Sequence, residues 1–173
     1  MSTDQDARIA ALTARLDRVD AERGCLAALY RYGHAIDYGD ETTWIDCFVT
    51  DAVYDIHFRL GGREMAEKRG YGVPHDKGTK ITGHDELKVF IARHTRAPDK
   101  WHKHMLIEPA ITVADDCKRA TARSYFTRLD DIEGERVVQS FGRYLDKLVA
   151  CPDGLWRVEE RIVEVESVRV ARN

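Results

Sequence analysis

Several features that would place the protein in a special class are missing from its sequence. Among 173 residues there are four cysteines, Cys25, Cys47, Cys117 and Cys151, far apart and with no Cys-x-x-Cys pair. That spacing offers neither a zinc cluster nor a disulfide framework, and it predicts free thiols, buried wholly or in part. No apolar run is long enough to span a bilayer, and the start, MSTDQDARIA, lacks the positive charge and hydrophobic stretch of a secretion signal. A cytoplasmic protein with no membrane association is expected. Blocks of one charge are also missing: 27 lysines and arginines are interleaved with 30 aspartates and glutamates, so no basic stripe points to nucleic acid. There is no internal repeat and no low-complexity segment.

What is present fits one domain over residues 1–173, long enough to bury a real core. From Asp4 to about Tyr38, Ile9, Leu12, Leu16, Val19, Leu26, Leu29 and Tyr30 recur at three- and four-residue spacing, which predicts a helix whose apolar stripe faces a core. Gly24 marks a possible break, separating a leading helix over 1–22, placed to pack on another subunit, from a second helix that Gly39 stops. ETTWIDCF (41–48) predicts a short helix and AVYDIHF an alternating strand. Residues 60–80 carry five glycines, a proline and many charges, which predicts a long loop beside a pocket. GHDELKVFIARH (83–94) reads as a helix with Leu87, Phe90 and Ile91 inward. Four strand-like runs follow, at 103–114, 118–130, 135–149 and 155–168, separated by turn signals. Helices first and antiparallel strands after imply an α+β fold, with the helices on one face of a curved sheet.

The chemistry concentrates in KWHKHMLIEP (101–110). On a strand, His102 and His104 point to the same face. His102-x-His104 followed by Glu108 repeats the spacing by which cupins hold a metal, but the flanking glycines and a third histidine on a later strand are missing, and a long helical start sits badly with an all-β barrel. The alternative is a general base, which needs a carboxylate to orient it. Asp37 is the candidate. It sits in the last turn of YRYGHAIDYGD, sharing a face with Tyr30 and His34, at the unfavourable end of the helix dipole unless a donor meets it.

YRYGHAIDYGD, FVTDAVYDIHF, HKHMLIEPAITVADDCKRATARSYF and QSFGRYLDKLVACPDGLWRVEER, in that order, resemble the SnoaL-like branch of the nuclear-transport-factor-2-like superfamily. The likeness covers residues 22–165 and is greatest to the scytalone dehydratase and bile-acid 7α-dehydratase group. The resemblance implies a cone-shaped, curved mixed sheet around a deep pocket closed by the N-terminal helices. It implies a catalytic Asp–His dyad, also found in the similar hexachlorocyclohexane dehydrochlorinase, at Asp37 and His104. It implies a pocket tyrosine at Tyr32 and an oxygen-holding tyrosine at Tyr54. Arg128 departs from the pattern, standing near the place of a polar pocket residue.

The resemblance therefore implies a lyase without cofactor or metal, acting on a small hydroxylated aromatic or cyclic substrate. It would eliminate water or cleave a C–C bond, as the similar γ-formaldehyde lyases do. Isomerase or cyclase activity with the same base, a non-catalytic binding or assembly module, and an HxH metal enzyme are the other readings. His34 and His102 are further candidates for substrate contact, each equally able to serve as a surface or supporting hydrogen-bonding group. Tyr30, Tyr38, Tyr125 and Tyr144 are expected as core aromatics, Trp44, Trp101 and Trp156 in the core or at its rim, and His57, His75, His84 and His94 without a role. The leading helix and a free sheet face predict a homo-oligomer, and relatives with this pocket are commonly trimers or dimers.

Overall fold

The computed structural model describes residues 2–58 and 79–168. The element order is α1 (Ser2–Tyr38), α2 (Glu41–Asp46), β1 (Phe48–Phe58), β2 (Thr79–Thr82), α3 (Gly83–Ala92), β3 (His102–Val113), β4 (Arg119–Ile132), β5 (Glu135–Ala150) and β6 (Trp156–Val168). The strands form one mixed sheet in the order β2-β1-β6-β5-β4-β3. Among the described strands only β1 and β6 run parallel, so β6 returns beside β1. The fold is α+β, with the long N-terminal helix against a curved sheet.

Local chemistry explains most boundaries. Gly39 takes a left-handed φ of 70°, where α1 closes with Asp40 N–H donating to Ala35 O at 3.0 Å. Asp40 then caps α2 by accepting from Thr43 N–H at 3.0 Å. β4 keeps a clean two-residue alternation, and its buried side runs Ala120, Ala122, Ser124, Phe126, Arg128, Asp130, from small and apolar to charged. In β3 the register shifts between Ile107 and Ala110, at Glu108 with φ 50°. This bulge changes the strand's phase, so that even-numbered His102 and His104 and odd-numbered Val113 all face the interior.

The core gathers under α1 and α2. Trp44, Phe48, Tyr54, Phe90 and Tyr32 form one aromatic cluster with ring centroids 4.9 to 6.0 Å apart. Below it, Arg161 is fully buried, bonded to Asp146 at 2.6 and 3.0 Å and held between the rings of Tyr32 (4.1 Å) and Tyr144 (4.4 Å).

Several expectations need correction. α1 is continuous, and Gly24 is no break. An added Cβ there would stand 2.3 Å from Trp156 Cδ1, so this glycine lets the helix lie against β6. The apolar stripe does not face the core along its whole length: Ile9, Leu12, Leu16 and Val19 are exposed, because the sheet ends before the helix does. Tyr30, Tyr38 and Tyr125 are also exposed, at 50% or more, and of the four expected core tyrosines only Tyr144 is buried. The end of the expected 60–80 loop is strand β2, paired with β1. The remainder of that loop lies outside the described residues.

Gly24 carries a test of the packing. In an open helix, Gly→Ala stabilises by up to about 1 kcal/mol. Here the indole blocks the new methyl, and Gly24→Ala should destabilise by roughly 1–3 kcal/mol in urea unfolding. Stabilisation would show that Trp156 moves aside freely.

Candidate active site

Asp37 and His104 meet where the last turn of α1 crosses the start of β3. The Asp37 carboxylate is buried and accepts from the His104 backbone N–H, 3.1 Å from each oxygen, and from His104 Nδ1 at 2.6 Å. These donors offset the cost of an acid at the carbonyl end of a helix. With Nδ1–H committed to the carboxylate, Nε2 is the ring nitrogen that carries the lone pair. Burial holds His104 below the ordinary imidazole pKa, with Asp37 pulling it up and the Arg128 charge pushing it down, so the ring is neutral at pH 7.

His102 points the same way, as the strand period requires. Its Nε2 is 3.7 Å from Asp37 Oδ1, too long for a hydrogen bond, and among the described residues neither ring nitrogen has a partner. Burial and the Arg128 charge lower its pKa to about 4. Sequence reasoning gave His94 no role, yet its ring lies 5.2 Å from that of His102 and 5.6 Å from that of His104. His94 Nδ1 is 2.7 Å from Thr95 O, and burial takes its pKa to about 2. A signal for it existed: His94 continues the inward stripe Leu87, Phe90, Ile91 by one helical turn.

A small cavity of about 50 Å³ opens onto His94 and His104, with Phe90, Phe126, Tyr54 and Arg128 in its walls. Tyr32 and Tyr54 both line it, their hydroxyls 2.9 Å apart. Burial raises the pKa of each, with the Arg161 charge pulling against it, so both keep their protons at neutral pH. Arg128, the departure from the family pattern, faces the same cavity from β4, paired directly with His104. Its guanidinium grips Asp130 at 2.7 and 3.2 Å and reaches Thr95 Oγ1 at 3.3 Å. His34 is exposed and lines an outer groove with Tyr30 and Tyr38, outside the cavity wall.

Asp37, His102 and His104 also have potential ligand atoms within 4.8 Å of one another. An ion there would have to displace the 2.6 Å hydrogen bond that joins Asp37 to His104. No described helix is long and apolar enough to cross a membrane.

Comparison with known proteins agrees with this architecture. An NTF2-like protein with a cystatin-like fold from Novosphingobium aromaticivorans superposes with a TM-score of 0.69 at 19% identity, over 89% of this chain and 87% of its own. Two more proteins from that organism carry the qualifier "putative" in their descriptions. A scytalone dehydratase matches with TM-score 0.63 at 17% identity over 90% and 92%. The β subunit of an aromatic-ring-hydroxylating dioxygenase matches with 0.60 at 18% over 92% and 95%. At such identities the likeness establishes the fold alone. No match is found among curated proteins. The profile of the SnoaL-like domain family matches residues 17–162, most of the chain, and the protein is a member of that family.

Proposed function

We propose that this protein is a metal-independent lyase in which the Asp37–His104 dyad removes a proton from a small hydroxylated aromatic or cyclic substrate. One observation carries the reading: His104 Nδ1 is held by a buried carboxylate at 2.6 Å while the ring stays neutral and lines a cavity. A base prepared in this way has its lone pair on Nε2 and needs no ion to activate it.

In a dehydration, Nε2 takes a proton from carbon, the C–H electrons form the double bond, and the C–O bond breaks on the neighbouring carbon. Asp37 stabilises the imidazolium. The departing hydroxide takes a proton from the Tyr32–Tyr54 pair and leaves as water, and the imidazolium proton then restores the tyrosine. Two neutral hydroxyls sharing one hydrogen bond leave one proton to donate, which suits them to a carbonyl or departing oxygen. Phe90 and Phe126 suit a flat or cyclic substrate. If the base takes the proton of a primary hydroxyl instead, its O–H electrons form the formaldehyde carbonyl, the C–C bond breaks, and that bond's electrons form a double bond as a hydroxyl on the neighbouring carbon leaves, protonated by the tyrosine pair, as water. The dehydratase assignment of one structural relative supports the first version. The dioxygenase β-subunit relative keeps a non-catalytic binding role as the rival.

The test is a turnover screen of metal-stripped protein on hydroxylated aromatic and alicyclic compounds, read as mass loss of water or formaldehyde. Asp37→Asn and His104→Ala should each lower kcat by about 10²–10⁴-fold, and Tyr54→Phe by roughly 10²-fold. Turnover that survives both dyad substitutions, or that returns only with added metal, would remove the proposed base. Ligand binding without turnover in any variant would leave the binding module standing.

The pH profile supplies a second test. Because the base works unprotonated, kcat/KM should stay level through neutral pH and fall with acid only below about 6.5, the ordinary imidazole value. Asp37 raises the His104 pKa, so in Asp37→Asn the residual acid limb should move to lower pH. A limb above 6.5 in the wild type, or a shift upward in the variant, contradicts this assignment.

A further inference from the structure

Among the described residues, the leading part of α1 has no apolar partner surface within its own domain. Every residue from Asp4 to Asp20 is exposed, and Ala21 is the first buried one. Arg18 ties the helix to the end of the β3–β4 hairpin, through Val113 O at 3.2 Å and Asp115 at 3.4 Å. The turns before it run beyond the sheet, about 20 Å of helix at 1.5 Å per residue. A helix of this length is marginal in water on its own. It also leaves Ile9, Leu12, Leu16 and Val19 open to solvent, Leu12 at 66%.

The spacing of those four residues is informative. Steps of three, four and three place Ile9 and Leu16 at heptad position a and Leu12 and Val19 at position d. That is the narrow seam of a two-stranded coil; a helix lying on a globular surface shows a wider stripe. Arg23, at the next a position, ends the seam where the helix enters the domain and Cys25, Ala28 and Leu29 become buried.

The flanking charges select the partner and its direction. Arg8, Arg15 and Glu22 fall at g, and Asp6, Thr13 and Asp20 at e. In a parallel pair of identical helices, each g residue faces the partner's e residue five positions on. This sets Arg15 against Asp20 of the partner subunit, twice by symmetry, and opposes no like charges. An antiparallel pair would set Arg15 against Arg15 of the partner subunit and Asp6 against Asp20 of the partner subunit, with Arg8 and Glu22 of the partner subunit as its one attraction.

We propose that residues 5–23 of α1 join two copies of this chain as a short parallel coiled coil. Two heptads make a weak zipper in isolation, and the folded domain behind each helix supplies the helical nucleus that a free peptide lacks. The outward face of the sheet also exposes Met105, Ile107, Tyr125 and Phe141. That face has neither a seam spacing nor a charge pattern to identify what covers it, so it enters as the competing site.

Sedimentation equilibrium on the full chain tests the proposal. The wild type should be a dimer, and Leu12→Glu combined with Leu16→Glu should weaken association at least tenfold. Both residues are exposed, so near-UV circular dichroism should show the domain still folded. On mild oxidation, Leu12→Cys should form an interchain disulfide far beyond the wild-type background, because a d residue faces its own mate only in the parallel pair. A wild type that is not a dimer overturns the proposal. So does a dimer indifferent to the double substitution, cross-linking only when Leu12→Cys is mixed with Leu16→Cys, or a dimer dissociated by Phe141→Asp and by nothing on the helix.

Discussion

The contact between Asp37 and the His104 backbone and ring is the constraint on which the site depends. A carboxylate in the last turn of a helix meets the negative end of the dipole, and burying it there is costly without donors. Three donor contacts converge on it from one residue of the edge strand β3. They dock the end of α1 onto the sheet and at the same time commit the His104 Nδ1 proton. Fold and chemistry are therefore coupled at this point. Truncating Asp37 would leave both the backbone and the ring donor of His104 without their acceptor, which is why the amide, with its shape kept, is the informative substitution.

A second buried polar unit supports the tyrosines. The parallel pairing of β1 with β6 sets Tyr54 beside Arg161, whose charge is answered by Asp146 and whose faces are covered by Tyr32 and Tyr144. An ion pair buried this deeply seldom adds stability over a well-packed apolar core. What it provides here is position. The guanidinium holds the Tyr32 ring in one orientation, and that fixes the hydroxyl 2.9 Å from Tyr54. It also places a positive charge beneath the phenol, which opposes the effect of burial on the Tyr32 pKa.

Much of this was legible from local patterns, and the exceptions have physical reasons. The period-2 runs located β3 to β6 to within a residue or two, because one face of each is buried. His102 and His104 shared a face as the strand period demands. Gly24 misled because a glycine that breaks a helix and one that admits an indole look alike until the distant Trp156 is in place. Tyr30 and Tyr125 misled because an aromatic on the outer side of an element obeys the same spacing as one in the core. The bulge at Glu108 had left a trace: an odd step of seven residues separates His104 from Ile111, so an unbroken strand would turn them to opposite faces. His94 and Arg128 depend on tertiary closure, since α3 and β4 meet His104 only when the sheet curls.

The charge balance of the pocket explains why its histidines suit transient rather than permanent protonation. His94, His102 and His104 stand within 5.6 Å of one another, and all three are held neutral by burial. Arg128 is already a fixed cation among them, compensated locally by Asp130. A proton arriving at His104 is opposed by burial, welcomed by Asp37 and opposed again by Arg128, with the balance on the side of the neutral ring. Only His104 has a carboxylate within hydrogen-bonding distance; His102 is 3.7 Å from the same oxygen, and His94 is bonded to a backbone carbonyl. The three rings thus differ in their capacity to accept charge, and His104 is the one whose protonated form has a carboxylate to meet it.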